Sequence, residues 1–97
     1  MTYIVSISQQ AEDDLREIFL WYEDKKLGLG LIFRDFFETA ISSIKLNPLQ
    51  FQVRYHKIRI KFLEKFPYGI HYTVVKSEFI ILAVFHTSLD PKRWQNK

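Results

Sequence analysis

The sequence predicts an α+β fold in which a pair of helices packs on one face of a twisted, mainly antiparallel sheet. Three observations carry that reading. Two runs with apolar residues three and four positions apart come early in the chain. A strictly alternating run, Lys57-Ile58-Arg59-Ile60-Lys61-Phe62, follows them. A run that is apolar at every position, Phe79 to Phe85, comes last, as in a central strand covered on both faces. The order reads strand, helix, helix, strand, strand, strand, within one domain spanning residues 1–97.

Each element has a local cause. Tyr3 to Ile7 is rich in β-branched and aromatic residues and places Tyr3, Val5 and Ile7 on one face, which predicts a short strand. Ser8 then stands where an N-cap belongs, and Glu12, Asp13 and Asp14 crowd the early turns, where the helix dipole favours negative charge. Ala11, Leu15, Ile18, Phe19 and Tyr22 make the apolar stripe of a helix over 9–25. Gly28 and Gly30 punctuate the chain. A second stripe, Phe33, Phe36/Phe37, Ala40, Ile41 and Ile44, runs to Asn47-Pro48, where proline disfavours helix at the residue before it. A short Gly-containing turn between two such helices predicts an antiparallel hairpin. The alternating strand puts Ile58, Ile60 and Phe62 on one side and Lys57, Arg59 and Lys61 on the other. Tyr68 to Lys76 reads as the next strand, with a tight turn at Lys76-Ser77-Glu78.

Composition narrows the function classes. The chain has no cysteine, so a disulfide framework, a thiolate zinc site and a cysteine nucleophile are excluded. His56, His71 and His86 fall on three different strand regions without close carboxylates, so no metal is expected. Gly28-Leu29-Gly30 lacks a preceding strand and a third glycine, so it reads as a turn rather than a dinucleotide fingerprint, and no cofactor is expected. The N-terminal stretch has no basic, long apolar or small-residue cleavage region, and no apolar run is long enough to span a bilayer. The expectation is therefore a cytoplasmic protein without membrane contact. Charge is uneven: residues 1–50 carry a net −3 and residues 51–97 a net +6, which invites an anionic or acidic partner for the second half.

Four motifs in order carry a resemblance. They are Ser8-x-x-Ala11-x-x-Asp14-Leu15-x-Glu17-Ile18 after a strand, the Asn47-Pro48 stop, Phe66-Pro67-Tyr68-x-Ile70-x-Tyr72, and Val84-x-His86-x-x-x-Asp90-Pro91-x-x-Trp94. Together they resemble the ParE/RelE superfamily of bacterial toxins, closer to its ParE-like branch. The resemblance implies the toxin of a type II toxin–antitoxin module of the plasmid-stabilisation kind, held inactive by a small cognate antitoxin. It implies no direct sequence-specific DNA binding without that antitoxin. ParE-like members inhibit DNA gyrase, a protein target. RelE-like members are ribosome-dependent mRNA endonucleases that use cations on the sheet and a histidine or tyrosine near the C-terminus. A family remnant without toxicity is the third reading.

The resemblance also nominates residues. Lys57, Arg59, Lys61 and His86 are the catalytic set if the chain is RelE-like, with the cations holding phosphates and His86 as acid or base. On the ParE-like reading the same four, with Lys92, Arg93 and Trp94 of the basic and aromatic tail, are candidates for gripping the target. Two departures weigh against nuclease chemistry. Gly69 follows Tyr68 where ribonuclease members carry arginine, and Ser88-Leu89 replaces a basic pair after the histidine. Trp21, Leu27, Leu29, Leu31 and Phe37 are more apolar surface than one inward stripe uses. Trp21, Leu29, Leu31 and Phe37 are therefore the candidates for an antitoxin groove.

Overall fold

The computed structural model describes residues 3–89. Its elements are β1 (Ile4–Ile7), α1 (Gln9–Lys25), α2 (Leu29–Leu46), a 3₁₀ turn at Pro48–Gln50, β2 (Val53–Tyr55), β3 (Ile58–Phe62), β4 (Tyr68–Val75) and β5 (Glu78–His86). The five strands form one sheet in the order β1-β5-β4-β3-β2, with β1 parallel to β5 and every other pair antiparallel. Both helices lie on one face, so the α+β architecture with a packed helical hairpin stands as expected from the sequence.

Ser8 ties three elements together. Its Oγ accepts the Ala11 N–H as the cap of α1 and donates to the Leu82 carbonyl, while its N–H donates to Ile81. The first strand, the first helix and the last strand are thereby fixed to one another at a single residue. Beyond Ile81, β5 has no β1 residues left to pair with. There the Asp14 carboxylate accepts the Val84 N–H at 2.9 Å, satisfying a donor that would otherwise be stranded. Asp14 was expected only as a dipole partner for its helix, and its second task is set by the sheet.

The two glycines of the hairpin do different work. Gly28 takes a left-handed conformation, φ 90°, at the N-terminus of α2, where a side chain would be strained. Gly30 is not part of the turn but lies inside α2. A Cβ there would come within 2.7 Å of the Phe19 carbonyl oxygen, and its N–H donates to the Glu23 carboxylate. The helices cross closely at Gly30.

The helix-facing side of the sheet forms the core with the hairpin. Phe33, Phe37, Ala40 and Ile44 of α2 and Ala11 and Ile18 of α1 meet Ile70 and Tyr72 of β4 and Phe79, Ile81 and Val84 of β5. The odd spacing on β5 comes from a bulge. His71 opposes Ala83 and Tyr72 opposes Ile81, so Leu82 has no partner and the side-chain phase shifts there. At one end Tyr22, Phe33, Phe66 and Tyr68 form an aromatic cluster, with ring centroids of Tyr22 and Phe66 5.1 Å apart at 82°.

Three expectations need correction. The strand Val53–Tyr55 was not anticipated, so four strands rather than three follow the helices. Three residues after a proline turn are too few for a periodicity to show. Lys57 does not begin β3. With His56 it forms the β2–β3 turn, both in left-handed conformations at φ 41° and 64°, as a two-residue hairpin of matching twist requires. Phe62 was grouped with the buried side of β3 and is 44% exposed.

Candidate functional site

The inversion of β3 decides how the cations lie. Arg59 stands opposite Tyr72 and Lys61 opposite Ile70, and both partners belong to the core under the helices. Directly paired strand residues share a face, so Arg59 and Lys61 lie on the helix side of the sheet. The Arg59 guanidinium donates to the carbonyls of Leu49, at 3.3 Å, and Phe51, at 2.5 Å. The Lys61 Nζ sits 5.0 Å from the Phe51 ring centre. Both side chains thus fasten the segment after α2 to the sheet edge. Beside Arg59, the Tyr72 hydroxyl donates to the Pro48 carbonyl at 2.6 Å. Burial pushes that phenol up to about 12, against a smaller opposite pull from Arg59. Lys57, at the tip of its turn, is exposed. The three candidate cations therefore do not form one open row.

His86 is exposed at the end of β5, stacked edge-on against Tyr68 with centroids 5.1 Å apart. Its Nδ1 accepts the Ser88 N–H at 3.0 Å, and the Ser88 hydroxyl lies 2.7 Å away. The neutral ring then carries its proton on Nε2. Ser88, which replaces a basic residue of the nuclease branch, is the residue that holds the histidine. Asp14, Glu17, Trp21, Tyr68, His86 and Leu89 border a cleft of about 330 Å³ at this end. Burial, with Tyr22 adding to it, raises the Tyr68 phenol above its usual range. Lys92, Arg93 and Trp94 lie outside the described residues, as do Asp90 and Pro91.

His71, considered from the sequence only as a metal ligand and set aside, proves to be the buried histidine. It is the one buried polar side chain of the described core, 3% exposed, on the side of the sheet away from the helices. Tyr55 reaches it from the β2 edge, the hydroxyl and Nδ1 joined by a hydrogen bond of 2.8 Å, and Phe85 packs edge-on at 4.9 Å. Burial lowers His71 to about 4 and raises Tyr55. A signal existed in the alternation of Tyr68 to Lys76. It was not enough, because only the missed strand β2 supplies the hydroxyl.

Gly69 stands on the same side. A Cβ at this position would meet Ile60 Cγ2 at 2.8 Å and the Phe62 ring at 3.2 Å. The place after Tyr68 is therefore filled from β3, and a long cation there would need both side chains to move.

On the helix side, an apolar groove of about 400 Å³ runs between the hairpin and β1. Ile7, Leu15, Phe19, Phe33 and Phe37 line it, and Arg16, Arg34 and Glu38 stand at its rim. A second hollow continues it over Val5, Ile41 and Ile81. Of the four antitoxin candidates, Phe37 forms part of this groove, although it is otherwise buried in the core. Trp21 is exposed on the opposite flank of α1, with the Lys25 amine 4.8 Å over its ring, and borders the cleft near His86. Leu31 is exposed and Leu29 half-buried, and neither lines the groove. Among the described residues no cluster of His, Asp or Glu is arranged to hold a metal. Among the same residues no helix is long and apolar enough to cross a membrane.

With this geometry in place, comparison with known proteins is informative. Residues 5–91 match the model of the ParE toxin of the type II toxin–antitoxin system parDE. The chain belongs to the ParE toxin family. Among solved structures it is similar to the chromosomal ParDE toxin–antitoxin system from P. aeruginosa, at 18% identity and a TM-score of 0.78. That match covers 89% of this chain and 97% of the other. The strand order and hairpin placement of this ParE-family chain are thus those of a known fold. A search of curated proteins finds no match.

Proposed function

We propose that this ParE-family chain slows growth by binding a protein target, DNA gyrase by resemblance, and that a cognate antitoxin neutralises it. The observation that carries the non-enzymatic reading is the crowding at Gly69, where Ile60 and Phe62 occupy the place of the nuclease arginine. Two further features support it. Arg59 is committed to backbone carbonyls, and His86 is bonded to the turn that follows it. A nuclease needs cations free to meet a phosphate whose charge is developing. The groove lined by Ile7, Leu15, Phe19 and Phe37 supports an antitoxin segment with an apolar face, and its guanidinium rim suits acidic residues on that segment. Among the described residues β1 is an edge strand, a position that suits a further strand from the same segment. The cytoplasm, where gyrase and antitoxin meet the chain, is the proposed location.

The test is induced expression with and without the small open reading frame beside the gene, scoring growth, plasmid supercoiling and cleavage of ribosome-bound message. The expected result is growth arrest with altered supercoiling, no message cleavage, and relief by the neighbour. Cleavage of ribosome-bound message by the wild-type chain that Lys57→Ala abolishes would establish the RelE-like reading in its place.

A further inference from the structure

The side of the sheet away from the helices differs from every other surface of the molecule. Strand register assigns to it Ile58, Ile60, Phe62, Val75 and Phe85, all apolar. Ile4 joins them on β1, opposite Glu78. Ile4 is 64% exposed, Val75 47% and Phe62 44%. Both helices and the 3₁₀ turn lie on the other side, bonded to Tyr72 and Arg59. Among the described residues the one carboxylate on this face is Glu78, which already accepts the Ser6 hydroxyl. Cations stand at both ends: the Arg54 guanidinium lies 5.7 Å over the Phe62 ring at one, and two turns carry lysines at the other. The β2–β3 and β4–β5 turns lie there, the first accepting from Thr73 Oγ1 of β4 at the Lys57 carbonyl and the second from the Ile4 N–H of β1 at the Ser77 carbonyl. These turns carry Lys57 and Lys76, both exposed. The described sheet segment 53–89 has a net charge of +4, whereas residues 1–50 of the helical half have −3.

An exposed apolar face of this kind marks a contact site. Its chemistry names the partner. Nucleic acid calls for cations distributed along the face to follow phosphates, and here Arg59 and Lys61 point to the opposite side. An uncharged centre with positive charge at its ends suits a protein surface with an apolar patch bordered by carboxylates. We propose that this outer face is where the toxin grips its target, a protein with an apolar, acid-edged patch, while the antitoxin occupies the hairpin side. The inference rests on the toxin reading above and adds the face and the partner's chemistry to it.

The experiment compares growth arrest by wild-type protein with that by Ile4→Asp, Phe62→Asp and Val75→Asp. Leu46→Asp, at an exposed helix end, serves as a control for added charge. Intracellular protein is quantified, and capture of the neighbour-encoded antitoxin is measured in parallel. Phe62→Asp is expected to need roughly ten-fold more protein for the same arrest, as loss of an interface anchor does, with antitoxin capture unchanged. Arrest at wild-type levels by all three variants overturns the proposal. So does a wild-type dimer that Phe62→Asp dissociates without loss of arrest, since the face then belongs to a second copy. If the Asp variants fail to fold, Lys57→Glu/Lys76→Glu decides, because both residues stand on exposed turns; unchanged arrest overturns the proposal. A wild-type chain that does not slow growth refutes the toxin reading itself, and this inference with it.

Discussion

The two faces of the sheet are built from the same kinds of residue and serve opposite ends. Under the helices, Ile70, Tyr72, Phe79 and Ile81 are fully buried, and the charged side chains of that face, Arg59 and Lys61, reach its margin to bind the segment after α2. On the far face, equally apolar side chains remain partly open and surround a single buried histidine. Alternation along a strand therefore separates two faces without saying which is inward. The inward face is whichever one the helices cover. On β3 that is the side with the cations, because a strand next to the sheet edge can send long side chains past the core to carbonyls beyond it.

Core substitutions give the largest contrast between the faces. Phe33→Ala, deep under the helices, should lose about 3–5 kcal/mol in urea denaturation, while Phe62→Ala on the far face should lose less than about 1 kcal/mol. Comparable losses would mean the far face is as tightly packed as the core.

His71 sharpens the comparison through pH. Its folded value lies near 4, below the unfolded value near 6.5, so between these limits the unfolded chain binds the extra proton. Stability is then fully present above about pH 6.5 and falls as pH drops toward 4. The expected loss from this group is about 2 kcal/mol once solvent screening is allowed for. His71→Gln should flatten the midpoint-versus-pH curve in that window, and an unchanged curve would remove His71 as its source.

A smaller effect is expected on the helix side from Tyr72→Phe. It leaves the Pro48 carbonyl without its donor and should lower stability by about 1 kcal/mol, with faster amide exchange confined to the segment around Pro48–Gln50. Uniform loss of protection would show that the bond supports the whole core rather than that turn.

Much of this architecture could be read in the residues. The boundaries of α1, the Ser8 cap, the stop at Asn47 and the turn at Lys76 follow from local signals, because caps, proline and periodicity act within a few residues. What stayed hidden depends on distant partners. Asp14 looks like a dipole residue until β5 runs past the end of β1. Gly30 looks like punctuation until the Phe19 carbonyl approaches it. Val53–Tyr55 is too short to show a period, and without it neither the Lys57 turn nor the Tyr55–His71 pair can be foreseen. Of the candidate site, the motifs gave the family, and the alternating run placed Arg59 and Lys61 on one side of a strand, though it wrongly added Lys57 to them. They could not tell that Arg59 and Lys61 lie under the hairpin rather than in the open.

The pairing of β1 with β5 has a consequence for how the molecule comes into being. Ser8 and Leu82, which it holds together, are 74 positions apart, so β1 is completed only by a strand synthesised long after it. Contacts this remote slow folding, because a long loop must close before they bring any gain. On the ribosome α1 and α2 can coil early, but the sheet has no finished border until β5 has left the exit tunnel. A nascent chain consequently lacks the partner that closes its first strand until Ile81 is clear of the ribosome.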